Sequence, residues 1–299
     1  MRIGVLAQPG SWYLADLTRA AQRRGHSVLP LEFRSLQSTV ESQSMRVQDA
    51  DGTPLNLDAV VVRTMPPGSL EQVVFRMDLL GQLDELGVTV WNAPRSMECA
   101  VDKFLTTARM RRAGLLVPAT RVCQTEEAAM VAFEELGGDV VLKPLFGGEG
   151  RGITRLTDPD LAQRAFRLLT QLGSVIYLQK FIAHLGCDYR ILLIGDEPFC
   201  MCRRNPSDWR SNVSRGATTE PWRASDTALE MARTAARAVG AAIAGVDLLP
   251  GRDGQLYAIE VNAVPGWRAL ARTVQVDIAD RIVAWVERPG ATQPADGQG

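Results

Sequence analysis

"AGVDLLPGRDGQLYAIEVNAVPG", residues 244–266, reads as two apolar arms around a turn, yet Asp247 sits in the first arm and Glu260 and Asn262 in the second. Counting outwards from Asp253-Gly254 as a two-residue hairpin turn sets Asp247 directly opposite Glu260. Directly opposed residues share a face, and Asn262, two positions along, shares it too. Val246, Leu248, Ile259 and Val261 then face a core. Two carboxylates ~5 Å apart repel by ~1 kcal/mol in water and by several-fold more in a drier site. A hard divalent cation removes that conflict, and Mg²⁺ commonly shares a few carboxylates with substrate phosphates. The competing reading is the solvated face of an amphipathic hairpin, and Pro250 argues for a wider loop than an ideal ladder.

Upstream, "VVLKPL", "FGGEGRG" and "ITRL" (140–156) form a glycine-rich flap between two strands, with Lys143 at its root. Glycines at 147, 148, 150 and 152 let backbone amides approach an anion. The stretch lacks the GK[ST] ending of a Walker loop, and a plain surface hairpin fits it equally well. "QKFI" (179–182) is an extended segment whose backbone could face a nucleobase edge, or a simple edge strand. "DYRILL" brings Asp188 and Arg190 to one strand face. "CRR" and "WRSNVSRGA" add Arg203, Arg210, Ser211, Asn212 and Arg215. Arginine forks bind carboxylates and phosphates bidentately, although a charged surface loop is the alternative. Of the 33 basic residues, lysine occurs only as Lys103, Lys143 and Lys180. Codon bias toward arginine accounts for this pattern on its own, and the alternative is that each remaining lysine stands where a compact ammonium is needed.

The first 95 residues alternate strand and helix, which predicts a parallel α/β unit. "RIGVLA", "HSVLPLE", "DAVVVRT" and "GVTVWN" are its strands, with helices at 11–25 and about 70–86. "LAQPGS" lacks the GxGxxG fingerprint, so a nicotinamide-dependent oxidoreductase is disfavoured. One helix is expected over 95–114, a polar loop over 205–224 and a helix over 226–240. The 299 residues carry a net charge of −1, with 46% hydrophobic and 22% charged residues. That balance gives no electrostatic case for a nucleic-acid or membrane partner. No apolar run reaches membrane-span length and no signal peptide is visible, so a cytoplasmic location is expected. The five cysteines show no zinc spacing and read as reduced core thiols.

Together these stretches resemble the ATP-grasp fold and, within it, the RimK-like α-L-glutamate ligases. The likeness runs from "VWNAPRSMECAVDKFLTTARMRRAGLLVPAT" to "VPGWRALARTVQVDIAD" and is most specific in "QKFIAHLGCDYRILLIGDEPFCMCRRNPSDWRSNVSRGA". It implies an α/β (α+β) chain with an N-terminal parallel α/β pre-ATP-grasp domain (1–95). A central subdomain with the phosphate loop (96–182), a C-terminal subdomain with the metal hairpin (183–289) and a disordered tail (290–299) would follow.

By the same resemblance, Lys103 and Lys143 are the phosphate lysines and Gly147, Gly148, Gly150 and Gly152 the closing loop. Gln179, Lys180, Phe181 and Ile182 line the adenine side, and Asp188 serves the nucleotide. Arg210, Ser211 and Asn212 form the ATP and substrate loop. Arg190, Arg203 and Arg215 act as anion clamps, and Asp247, Glu260 and Asn262 hold Mg²⁺ or Mn²⁺, two ions in all. The implied reaction joins L-glutamate to a carboxylate acceptor through an acyl phosphate. That acceptor is a small cofactor of pterin type or a protein C-terminus, and a homo-oligomer is compatible with the likeness. The alternatives are a non-catalytic ATP-binding regulatory protein and a ligase acting on the amino-group carrier protein of lysine biosynthesis. Lys180, Ser214, Ala217 and the run Val264–Leu270 depart from the family pattern, which puts the acceptor in question and leaves the ATP chemistry intact.

Overall fold

The computed structural model describes residues 1–147, 150–213 and 216–288, so the expected tail at 290–299 lies outside the described residues. The chain starts with β1 (Arg2–Leu6), α1 (Trp12–Arg23) and β2 (Ser27–Leu31). A hairpin of β3 (Gln37–Glu41) and β4 (Ser44–Gln48) follows, then β5 (Ala59–Val62), α2 (Leu70–Glu85) and β6 (Thr89–Trp91). Strands β2-β1-β5-β6 make a wholly parallel sheet. Its apolar runs are buried on both faces, as such a sheet requires. The β3–β4 hairpin was not expected, because "QSTVE" and "SMRVQ" carry no sustained apolar run.

The single helix expected over 95–114 is two: α3 (Pro94–Val101) and α4 (Lys103–Arg112). Asp102 between them is extended and its carboxylate accepts the Leu105 N–H at 3.0 Å, capping α4. The break makes Lys103 the first residue of α4, at the helix end rather than along its side.

Next come β7 (Thr120–Cys123), α5 (Glu126–Glu135), β8 (Val140–Lys143), β9 (Thr154–Leu156), α6 (Pro159–Gln171) and β10 (Ile176–Lys180). They form an antiparallel sheet of order β7-β10-β8-β9 with a core of its own, centred on Phe133, Phe166 and Leu178. The rest of the chain supplies β11 (Cys187–Ile194), β12 (Glu197–Arg204), β13 (Thr218–Pro221) and α7 (Asp226–Val239). It ends with β14 (Ile243–Pro250), β15 (Leu256–Asn262), α8 (Arg268–Val274) and α9 (Ile278–Val286). The five strands run β13-β12-β11-β14-β15. Strand β13 lies inside the stretch expected to be loop, as an edge strand that ends on Pro221.

The N-terminal sheet and the five-stranded sheet share their cores. Leu6 and Val60 cluster with Val246 and Val261, and Ile3 and Trp91 cluster with Trp267 and Ile282. Buried Asn92 joins the two sheets: its amide donates to Ile243 O at 2.8 Å and Ala263 O at 2.6 Å and accepts from Ile243 N at 2.8 Å. All five cysteines are free, and burial pushes the Cys200 and Cys202 thiols up to about 11.

In the hairpin, Asp247 pairs with Glu260 and Gly245 with Asn262, the register obtained by counting. The route to it differs. Pro250 pairs with Leu256, so the loop spans 251–255, and a bulge beside Asp247 restores the count. Ile259 is the extra residue. It was expected in the core with Val246, Leu248 and Val261, but it is only half-buried and lines the cleft described next.

Candidate active site

A cleft opens between the antiparallel sheet β7-β10-β8-β9 and the five-stranded sheet. Lys103 reaches it from the start of α4, Lys143 from the end of β8, and Gln179 to Ile182 from the end of β10. Asp188, Arg203, Asp247 and Glu260 form its other wall, and Arg210, Ser211 and Asn212 close one side. Arg190, Gly147, Gly150, Gly152 and Asn262 do not line it. Gly148 and Arg215 lie outside the described residues.

Strand register explains the charged wall. Arg203 pairs with Asp188, Arg190 with Asp247, and Asp247 with Glu260 across β12, β11, β14 and β15. Arg203 donates to both Asp188 oxygens at 2.6 Å and lies 2.9 Å from Asp247. Arg190 Nη2 donates to Asp247 at 2.9 Å, and its Nε faces the other carboxylate oxygen. Two of the three arginines expected to clamp substrate anions, Arg190 and Arg203, are thus held here by the protein's own carboxylates. Burial alone would raise the Asp247 pKa, but Arg190 and Arg203 outweigh it and hold the carboxyl below its usual range. Asp188 goes the other way, raised by burial despite Arg203. Glu260 lines the same cleft, and among the described residues its carboxylate has no hydrogen-bond or ion-pair partner. Asn262 Oδ1 accepts the Val264 N–H at 2.8 Å and keeps a second lone pair. This all-oxygen set, with one uncommitted carboxylate, suits a hard divalent cation that draws its remaining ligands from phosphates.

The two lysines face these acids. Lys143 Nζ donates to Gln179 Oε1 at 2.6 Å, and Lys103 Nζ to Gly147 O at 2.5 Å, tying α4 to the glycine flap. Burial lowers both pKa values, that of Lys143 to about 8 with the Lys103 charge adding to the effect, while Glu260 opposes it in both cases. Ammonium groups held partly dehydrated beside one another gain most from a polyanion.

On the β10 side, the N–H groups of Lys180 and Phe181 are already used, by Ala119 O at 2.8 Å and Asp139 O at 3.0 Å. Among the described residues the Ile182 N–H has no hydrogen-bond partner, and Ile182 lines the cleft. Arg210 is bound by Asp208 at 2.8 Å and reaches Ile153 O at 3.2 Å, so it braces the loop against the flap. A Cβ on Gly150 would stand 2.5 Å from Asn212 Oδ1, so loop and flap touch there.

Sequence reasoning missed several lining residues. Tyr177 OH bonds Thr107 at 2.9 Å and receives the Gln179 amide at 3.3 Å, which orients Gln179 toward Lys143. Tyr177 and Gln179 alternate on one face of "IYLQK", a signal that was available. Trp209 packs edge-on against Phe181 at 5.8 Å, and Arg155 lies 3.6 Å over the same ring. Nothing local in "SDWRS" marks Trp209 out. Among the described residues no helix is long and apolar enough to cross a membrane.

Residues 100–286 match the model of the RimK-like ATP-grasp domain and residues 1–97 that of the RimK pre-ATP-grasp domain. The chain is 30% identical to the tetrahydromethanopterin:alpha-L-glutamate ligase of Methanosarcina acetivorans, over 96% of this chain and 98% of that one. It is 28% identical to a ribosomal protein bS6–L-glutamate ligase of Escherichia coli, over 98% of each. Its fold is that of the ATP-grasp ligase PsnB, solved with minimal precursor, Mg and ADP, at a TM-score of 0.74 and 22% identity over 95% of this chain and 96% of that one.

Proposed function

The chain belongs to the RimK-like ATP-grasp family, and from that premise we propose that it is an ATP-dependent carboxylate–amine ligase that adds L-glutamate to a small carboxylate-bearing cofactor. The observation that carries this reading is the convergence of Lys103, Lys143, Asp247 and Glu260, from four separate elements, on one cleft. The glutamate ligases among its relatives act on a pterin in one case and a ribosomal protein in another. With a net charge of −1 there is no basic surface bias toward a ribosome, which favours the small acceptor.

In this reading an acceptor carboxylate oxygen attacks the γ-phosphorus of ATP and the bond to the ADP oxygen breaks. The glutamate amine then attacks the acyl carbon, the carbon–oxygen bond to phosphate breaks, and the amine proton passes to solvent. Lys143 and Lys103 hold the phosphates from two sides, and the flap closes over them through the Lys103–Gly147 contact. Asp247, Glu260 and Asn262 would hold two Mg²⁺ or Mn²⁺ ions, which supply neutralisation of charge on the transferring phosphoryl group. Arg190 and Arg203 keep Asp247 ionised and fixed. None of the five cysteines is needed as nucleophile, and the chemistry rests on positioning and electrostatics. In the same reading the enzyme works in the cytoplasm.

The test is ADP release by the purified protein with Mg²⁺, L-glutamate and a panel of carboxylate acceptors, including pterins with a glutamyl tail and peptides with a free C-terminus. Glutamate-dependent ADP release with a pterin-type acceptor is the expected result. Release only with peptides moves the acceptor to a protein. Nucleotide binding without release under any condition leaves an ATP-binding regulatory protein.

A further inference from the structure

Arg63 follows β5, and Tyr13 lies in the first turn of α1, just after β1. In the sheet order β2-β1-β5-β6, chain connections leave β1 and β5 in opposite directions. The carboxyl ends of such a strand pair frame the crevice where open α/β sheets take their ligands. The Arg63 guanidinium lies over two adjoining aromatic rings, 4.9 Å from the centroid of Tyr13 and 4.4 Å from that of Trp267. Its Nη2 donates to Pro265 O at 2.8 Å, its Nε is buried without a partner, and among the described residues no carboxylate pairs with it. The nearby acid, Asp16, is taken by Arg19 and by the Trp267 indole N–H. Burial lowers the guanidinium pKa to about 10, an unusual state for an arginine kept without a counter-ion.

This cation is linked to the charged wall through Pro265. A Cβ on Gly245 would meet Arg190 Nη1 at 2.8 Å and Pro265 Cβ at 2.9 Å, so Pro265, which Arg63 holds, touches the same point as the arginine that grips Asp247. The run after the hairpin, where the sequence leaves the family pattern, is what brings Trp267 onto Arg63. Trp267 is fully buried and stacks edge-on with Tyr13 at 4.8 Å.

We propose that Arg63, framed by Tyr13 and Trp267, is the binding subsite for a non-reacting carboxylate of a substrate, held next to the phosphoryl-transfer centre. This rests on the ligase reading above and adds a recognition residue from the N-terminal sheet. The carboxylate belongs either to the incoming amino acid or to the acceptor. Its fork would meet both carboxylate oxygens where a lysine could meet one.

Wild type and Arg63→Gln, both loaded with Mg²⁺ and a non-hydrolysable ATP analogue, are titrated calorimetrically with L-glutamate and with N-acetyl-L-glutamate, which lacks a free amine. Nucleotide affinity is expected to be unchanged, while one of the two probes loses roughly ten- to hundredfold in affinity. Loss for L-glutamate alone assigns the amino-acid substrate, and loss for the acetylated probe assigns the acceptor. Unchanged affinity for both, with or without a lower Tm, makes Arg63 a packing cation between the two sheets and overturns the proposal. So does a wild type that takes up nucleotide but binds neither probe. Should Arg63→Gln fail to fold, Arg63→Lys keeps the charge, loses the fork and carries the same comparison. Carboxylate binding that depends on Arg63 in a protein with no ADP release would instead sink the ligase reading alone.

Discussion

Asp247 stands directly across β14 and β15 from Glu260, yet the two carboxylates have opposite surroundings. Asp247 is buried and gripped by Arg190 and Arg203, whereas Glu260 is half-exposed with no partner among the described residues. Repulsion between them is thereby reduced on one side only. One carboxylate comes pre-fixed and the other has no partner of its own among the described residues.

That asymmetry separates stability from turnover. Asp247→Asn leaves Arg190 without its carboxylate, while Arg203 keeps Asp188. Breaking a buried pair costs about 3–5 kcal/mol, a Tm lower by roughly 10 °C. Glu260→Gln removes no such contact and should stay within ~0.5 kcal/mol of wild type. Both variants should lose Mg²⁺-dependent ADP release by roughly a hundredfold or more. Thermal melts beside an ADP-release assay check both halves, and an equal Tm loss in the two variants contradicts the asymmetry.

Lys143 makes nucleotide affinity depend on pH. Burial sets its pKa at about 8, and phosphates arriving beside it raise that value. Below pH 8 the lysine is charged with or without nucleotide, so affinity is flat. Above it, binding must take up a proton and affinity falls, by roughly tenfold within a unit or two. Folding of the nucleotide-free protein has the opposite sense. An unfolded lysine, near 10.5, binds more protons between pH 8 and 10.5, so stability rises through that window. Nucleotide titrations across that range should show the full fall in wild type and a smaller one in Lys143→Arg, where Lys103, also lowered by burial, still titrates.

Much of this was legible because it depends on period and spacing. The parallel unit is visible in "AVVV" and its neighbours, and the pairing of Asp247 with Glu260 follows from strand alternation. The count came out right although the loop is wider than assumed, since the bulge at Ile259 offsets it. Tertiary features were not legible. No local pattern tells that Asp102 caps a second helix, that β13 pairs as an edge strand, or that Arg203 is satisfied by Asp188 rather than left for a substrate. Arg63 was passed over entirely, because a lone arginine after a strand has meaning only once Tyr13 and Trp267 close on it.

Asn92 holds the N-terminal sheet to the five-stranded one with three buried hydrogen bonds. Asn92→Ala strands Ile243 N–H, Ile243 O and Ala263 O away from water, at about 1–3 kcal/mol each. Partial relaxation should leave a loss of about 3–5 kcal/mol, read as a lower urea midpoint. Asn92→Asp keeps the acceptor but removes both donations, and should be no better. A midpoint within error of wild type would mean that the shared apolar cores alone join the sheets.

Gly150 tests the contact between flap and loop. Its φ of +69° strains any other residue by about 1 kcal/mol, and a Cβ there would stand 2.5 Å from Asn212 Oδ1. Gly173, at φ +66°, has the same backbone demand with nothing within 4 Å. The pair therefore isolates the contact from the strain. Gly173→Ala should lower the Tm slightly and leave KM for ATP unchanged. Gly150→Ala should cost similar stability and, by pushing Asn212 and its loop off the flap, raise KM for ATP by roughly tenfold. Steady-state ADP release over a range of ATP concentrations reads the difference directly. Equal KM values in the two variants would show that flap and loop do not act together on the nucleotide.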